Sequence, residues 1–410
     1  MPPFLARQRE VLRSSSSFRL LFTSYLVSGL GTFLAVIALT VDVYDRTHSG
    51  KWVAALLIAD FLPAVAIGLL LGPLVDRLSR KRLLVAADVV RLIVFVLLTF
   101  TVTPGQIVAL ALVAGVATGF ARPAAYAGLP NLVSLDDLPR ANALLRLAEQ
   151  LTITVGTLLG GVISAVAGPD PAYIVNAVSF GVSAVLLLRI PRALLQQGRI
   201  ESRGYWQDLG DGFRLVLHSR PLLAVLLSWN LAMITIAFVN VSEVVLAKVS
   251  FDAGDFGFGL LFAANGLGAV IGALFASTLL ERRGMTPLYG LAIGLMGVAN
   301  IAAGISPNVW VASLFVVASG IGNATALVCN TLLVQRGAPD HVRGRAFTLI
   351  MGTNFAVLGL GMAVAGPLVD AVGARWVWGI AGVIAIAAAV TGYALLRREP
   401  AAAVPEPATS

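Results

Sequence analysis

Charge is what this chain has least of. Of 410 residues, 12% are charged and 58% are hydrophobic, and the mean hydropathy is +0.88. A soluble domain carries about 25% charged residues. A water-soluble globule is therefore excluded, and a chain that crosses a membrane many times is indicated. Cysteine occurs once, at Cys329, so no intramolecular disulfide can form and no cysteine metal site exists. The three histidines, His48, His218 and His341, lie far apart in sequence, which argues against a histidine metal cluster. No nucleophile–base pair, phosphate loop or metal cluster is legible. An enzyme is disfavoured, and neither a metal nor a cofactor is expected. A net charge of +8 would suggest nucleic acid in a soluble protein. Here the basic residues sit in loops between apolar runs, where they set topology and meet anionic lipid. No nucleic-acid partner is expected.

What is abundant is apolar sequence in long runs. A helix needs about 20 apolar residues to cross the hydrocarbon core. Twelve stretches reach or approach that length: 20–43, 52–75, 83–102, 106–128, 143–168, 172–188, 222–249, 258–280, 288–305, 309–334, 347–369 and 377–396. The first follows Arg7, Arg9, Arg13 and Arg19 and is too long for a signal-peptide core, so it reads as a first span with its basic flank inside. With that start, the even-numbered loops are cytoplasmic. They hold Arg77, Arg80, Lys81 and Arg82, then Arg140, then Arg192 to Arg220, then Arg282 and Arg283, then Arg336, Arg343 and Arg345. The outer loops offer only Arg46, Lys51, Lys248 and Arg375. This asymmetry places both termini in the cytoplasm and the chain in the cell membrane.

The halves repeat. Asp76-Arg77 recurs as Glu281-Arg282 (281 − 76 = 205), and Arg140, Gly115, Gly161 and Gly168 recur at the same offset as Arg345, Gly320, Gly366 and Gly373. The expected fold is all-α, with twelve transmembrane helices in two pseudo-symmetric six-helix bundles. The bundles are expected over 1–190 and 221–398, joined by a cytoplasmic loop over 191–220 and followed by a disordered tail over 399–410. Residues 208–218 fit either a short surface helix or a solvated linker. An internal repeat in a polytopic chain points to a transporter with its site between the halves.

The loop Gly72-x-x-x-Asp76-Arg77-x-x-Arg80-Lys81-Arg82 resembles the signature loop between spans two and three of the major facilitator superfamily. Ala87-Asp88-Val-Val-Arg91, Arg122-Pro123-Ala124, Ala141-Asn142-Ala143-Leu144, Asn176-Ala-Val-Ser179-Phe180 and Arg343-Gly344-Arg345 resemble its drug-, macrolide- and siderophore-exporter branch. The resemblance implies that the loop latches the cytoplasmic side when the cavity faces outward. A bare topological anchor is the plainer reading. The acidic partner that the family often supplies near span 11 is replaced by Arg345-Ala-Phe-Thr-Leu, which leaves Asp88 as the nearest substitute. Asp88 and Arg91 share one helical face at i, i+3 and suit a structural pair more than a proton carrier.

Intramembrane carboxylates are costly and usually functional. Asp60, Glu149 and Glu243 are the candidates for proton coupling; Glu149 resembles in position an acidic residue on span 5 of multidrug relatives, while Asp60 also reads as an acid wetted by the outer mouth and Glu243 as one that reaches the outer surface. Arg122 closes span 4, either facing substrate or snorkelling to the interface. The family's cavity-lining spans 1, 4, 7 and 10 offer Thr32, Thr118, Trp229, Asn230, Asn240, Asn323 and Asn330. Apart from the acids the wall is apolar, which suits an amphipathic substrate. Glycines cluster in spans 2, 5, 8 and 11, the family's seam between halves. Thr157 stands where the span-5 antiporter motif has proline. The expected function is proton-coupled efflux of amphipathic small molecules by a monomer in membrane lipid, by alternating access. The alternatives are a lysophospholipid or metabolite transporter, or a non-transporting membrane sensor or scaffold.

Overall fold

The computed structural model describes residues 11–12, 15–70, 79–134, 137–191, 219–337 and 340–397. Within these, twelve long helices follow one another. They are α1 (Ser16–Thr47), α2 (Gly50–Leu70), α3 (Arg80–Leu98), α4 (Pro104–Gly128), α5 (Leu138–Ala167) and α6 (Asp170–Leu188). The second six are α7 (Arg220–Val245, continued by a π turn over Leu246–Ser250), α8 (Gly254–Arg283), α9 (Met285–Ile305), α10 (Val309–Gly337), α11 (Asp340–Val372) and α12 (Ala374–Arg397). Eleven are long and apolar enough to span a bilayer. The exception is α3, which carries Arg80, Lys81, Arg82, Asp88 and Arg91.

Helix ends follow local chemistry. Ser15 Oγ accepts from Phe18 N (3.1 Å) and starts α1. Gly168 and Gly373, at φ 77° and 83°, end α5 and α11 in a conformation that favours glycine. Inside the spans, hydroxyls of Ser28, Thr32, Thr118 and Thr157 donate to carbonyls four residues back, which satisfies them without water.

The repeat is structural. α3 and α9 begin 205 residues apart (285 − 80), as do α4 and α10 (309 − 104). In the first half α1 packs on α5 and α6, α2 on α4, and α3 on α4 and α6. The second half repeats this arrangement, with α7 on α11 and α12, α8 on α10, and α9 on α10 and α12. The halves meet along two seams, α5 with α8 and α2 with α11. Both seams include backbone-to-backbone contacts. A Cβ on Gly161 would sit 2.9 Å from Gly259 Cα, and one on Gly366 would sit 2.9 Å from Gly50 O. The glycine clusters nevertheless divide their labour. Gly156 and Gly160 face α1, and Gly268 and Gly272 face α10, so only some serve the seams.

One end of the bundle, the basic face, carries the exposed Arg82, Arg282, Arg283 and Arg397. At the opposite face the halves are tied together. Lys248, at the end of α7, bonds Asp45 of α1 and Asp255 of α8. Asp370, at the end of α11, accepts from Ser49 Oγ (2.8 Å) and Gly50 N (2.5 Å), so one half caps a helix of the other.

Candidate functional site

A cavity of about 180 Å³ opens within the first half, walled by α1, α3, α4, α5 and α6. Ser24, Ser28 and Thr32 recur every four residues and give α1 a polar stripe along one wall. α3 contributes Asp88 and Arg91, α4 contributes Thr118, α5 contributes Glu149 and Thr152, and α6 contributes Ser183. Leu21, Tyr25, Phe33 and Leu187 supply apolar surface between them.

The charged floor is a connected network. Arg91 Nη2 donates to Asp88 Oδ1 (2.5 Å), and Ser183 Oγ donates to Asp88 Oδ2 (2.5 Å). Ser183 and Ser24 share a hydrogen bond of 2.7 Å. Since the Ser183 proton goes to Asp88, Ser24 is the donor in that bond. The Arg91 guanidinium also lies 4.3 Å over the Phe180 ring. Asp88 is thus a buried carboxylate with both oxygens engaged, as burial of a charge demands. Asp60, at the middle of α2, is accessible and within Coulombic reach of Arg91.

The cavity therefore gathers Thr32, Asp88, Arg91, Thr118 and Glu149, but it is not walled by α7 and α10. The physical reason is in the repeat. Trp229 stands 205 residues after Ser24 (229 − 24), and its indole is buried in the apolar core of the second half. Asn330 is also buried there, accepting from Tyr289 OH (2.6 Å), which in turn bonds Ser228 (2.7 Å). Neither Trp229 nor Asn330 lines this cavity. Asn230 donates to Leu226 O (2.8 Å) and Thr353 Oγ1 (3.4 Å), while Asn240 and Asn323 are half-buried. Glu243 is buried on α7, 3% exposed, with no hydrogen bond or ion pair to a described residue.

Of the signature loop, Gly72, Asp76 and Arg77 lie outside the described residues, as do the side chains of Arg122, Arg343 and Arg345 and the segment 208–218. Arg80 is buried at the start of α3. Lys81 Nζ donates to Leu188 O and Ile190 O (2.7 Å each), pinning α3 to the end of α6. Sequence reasoning passed over Ser24, Ser28 and Ser183, and read Thr152 only as part of the span-5 glycine motif. The i, i+4 spacing of Ser24, Ser28 and Thr32 was the available signal. It also passed over Asp42, which holds Arg46 (2.6 Å) and accepts from Tyr173 OH (2.9 Å) near the opposite face.

Two six-helix halves related by a 205-residue repeat and packed along two seams, with a polar cavity within the first half, have the build of a membrane transporter of the major facilitator fold. The chain belongs to the transmembrane secretion effector family of that superfamily, whose description it matches over residues 12–407. It is 28% identical to the enterobactin exporter EntS of Salmonella typhi over 372 residues, covering 87% of each chain. It is 24% identical to the multidrug efflux pump Tap of Mycobacterium bovis (strain BCG / Pasteur 1173P2) over 373 residues, covering 87% of this chain and 88% of that one. In structure it resembles the nucleoside transporter NupG, with a TM-score of 0.73 at 17% identity, covering 93% of this chain and 100% of that one. The protein is thus a multi-pass membrane transporter of small molecules and not an enzyme. Transporters of this type are driven by ion gradients and need no cofactor.

Proposed function

We propose that this transporter exports amphipathic small molecules in exchange for protons, by alternating access. The observation that carries the reading is the cavity itself. Glu149, Asp88 and Arg91 face one space together with Tyr25, Phe33 and Leu21, so acids, a cation and apolar surface share a wall. An amphipathic substrate places its apolar part on the rings and its polar part toward Glu149 and the hydroxyls of Ser28 and Thr32. An acid facing a cavity that opens to alternate sides can carry a proton from one side to the other. Glu149 is the first candidate, with Asp60 and Glu243 behind it. Asp88 and Arg91 hold each other and set the floor of the site. The names of two relatives, an enterobactin exporter and a multidrug efflux pump, support export.

The basic face is cytoplasmic in this reading, by the excess of arginine and lysine there. The signature stretch over residues 72–82, which runs into the start of α3, then latches that face when the cavity turns outward. The working unit is a monomer, built as bundles over 1–190 and 221–398.

The test uses everted vesicles carrying the full chain, an imposed pH gradient and a panel of amphipathic dyes. Accumulation of a dye that collapses when the pH gradient is dissipated is the expected result. Glu149→Gln should lower gradient-driven uptake more than tenfold while leaving dye-for-dye exchange intact. Transport that ignores the pH gradient, or Glu149→Gln, Asp60→Asn and Glu243→Gln all at wild-type rates, would overturn proton coupling.

A further inference from the structure

A groove of about 510 Å³ runs down the outside of the first half, where the start of α3 meets the end of α6. Val85, Ala86 and Val89 of α3 and Leu188 of α6 form its walls, with Lys81 and Arg82 at its rim. Val89 and Leu188 are 43% and 56% exposed, so the walls present hydrocarbon outward. From Arg82 to Val89 the groove descends roughly 10 Å at the helix rise, from the membrane edge into the apolar layer. Lys81 spends two N–H bonds on Leu188 O and Ile190 O and keeps a third. Arg82, and Arg189 next to Leu188, are exposed and make no side-chain hydrogen bond or ion pair with a described residue. Ser79 gives α3 no side-chain cap, so the first N–H groups of that helix add to the positive field.

The second half supplies an internal control. At the 205-residue offset, Lys81, Arg82 and Arg189 become Thr286, Pro287 and Ala394, while Val85 and Leu188 become Gly290 and Tyr393. Tyr393 packs over Gly290, where an added Cβ would lie 3.2 Å from Tyr393 Cβ. The twin position has no cation and has an aromatic ring where the first half has an open groove.

We propose that the α3–α6 groove binds an anionic glycerophospholipid. The phosphate and headgroup sit against Arg82, Arg189 and the remaining Lys81 N–H, and one acyl chain lies along Val85, Ala86, Val89 and Leu188. Phosphate alone would satisfy only the rim, and a zwitterionic lipid would satisfy chiefly the walls.

Native mass spectrometry of the full chain tests this, with phosphatidylglycerol, phosphatidylcholine or inorganic phosphate added in detergent. Phosphatidylglycerol should be retained in preference to phosphatidylcholine, and inorganic phosphate should not displace it. Arg82→Gln with Arg189→Gln should weaken phosphatidylglycerol about 30-fold, at the usual contribution of two cations near a lipid surface. Ala86→Trp, which fills the groove and keeps both cations, should also abolish retention, whereas Arg82→Lys with Arg189→Lys should preserve it. Equal retention of phosphatidylcholine, displacement by phosphate, wild-type retention in both weakened variants, or loss in the lysine variant would each overturn the assignment.

Discussion

The same six-helix plan is used twice in this protein, with opposite chemistry at matching positions. In the first half, Ser24, Asp88, Arg91 and Ser183 form a hydrogen-bonded, charged cluster on the floor of a cavity. At the 205-residue offset the second half has Trp229, Ile293, Met296 and Ala388. All four are buried in one hydrophobic core. Its polar cluster of Ser228, Tyr289 and Asn330 is neutral and wholly buried. The scaffold does not require the charges, since its twin folds without them. Their cost in the first half is therefore not a requirement of the fold itself.

Breaking the buried pair should produce the largest effect. Asp88→Asn or Arg91→Met alone leaves a group buried without its partner, which costs about 3–5 kcal/mol. Replacing both with the residues of the second half, Asp88→Ile with Arg91→Met, should recover most of that stability in thermal unfolding while export stays lost. If the double variant exports normally, the contrast between the halves has no functional meaning.

The seams come next. Gly161 and Gly366 are repeat partners, and each meets backbone of the other half. Leucine at either position should cost about 1–3 kcal/mol by overpacking and slow export by a similar factor in both variants. Unequal effects in vesicle transport would mean that the seams are not equivalent. Smaller is the loss from Asp370→Ala, which uncaps α2 from across the interface. About 1 kcal/mol is expected, with greater labelling of cysteines placed at the opposite face. The mildest is Tyr289→Phe, about 0.5–1.5 kcal/mol for its hydrogen bonds, with export unchanged. A transport defect there would give the second half's polar cluster a role beyond packing.

The spans and the repeat were legible because hydrocarbon thickness and a constant offset both leave marks in one dimension. α3 was legible too, although its five charged residues set it apart from the other spans by composition. The cavity was not legible in the same way. A serine in an apolar run, such as Ser183, looks like any small packing residue until α6 is laid against α3 and its hydroxyl meets Asp88. Trp229 and Asn330 show the converse. They are polar or aromatic at mid-span, yet they face their own half's core. The glycine runs marked close packing correctly, but which neighbour each glycine meets depends on rotation about the helix axis. Gly160 and Gly161 are adjacent in sequence and touch different helices.

The two glycine crossings have a mechanical consequence. Backbone meets backbone at Gly161–Gly259 and at Gly50–Gly366, with the Val369, Asp370 and Ala54 side chains packed beside the second crossing, so the halves are held close enough there for the crossings to act as an axle. α5 extends from Gly161 back to Leu138, a lever arm of roughly 35 Å at the helix rise. A turn too slight to disturb packing at the axle would be multiplied along that arm into a larger displacement at its far end. The gearing is built from four absent methyl groups, one at each of Gly161, Gly259, Gly50 and Gly366.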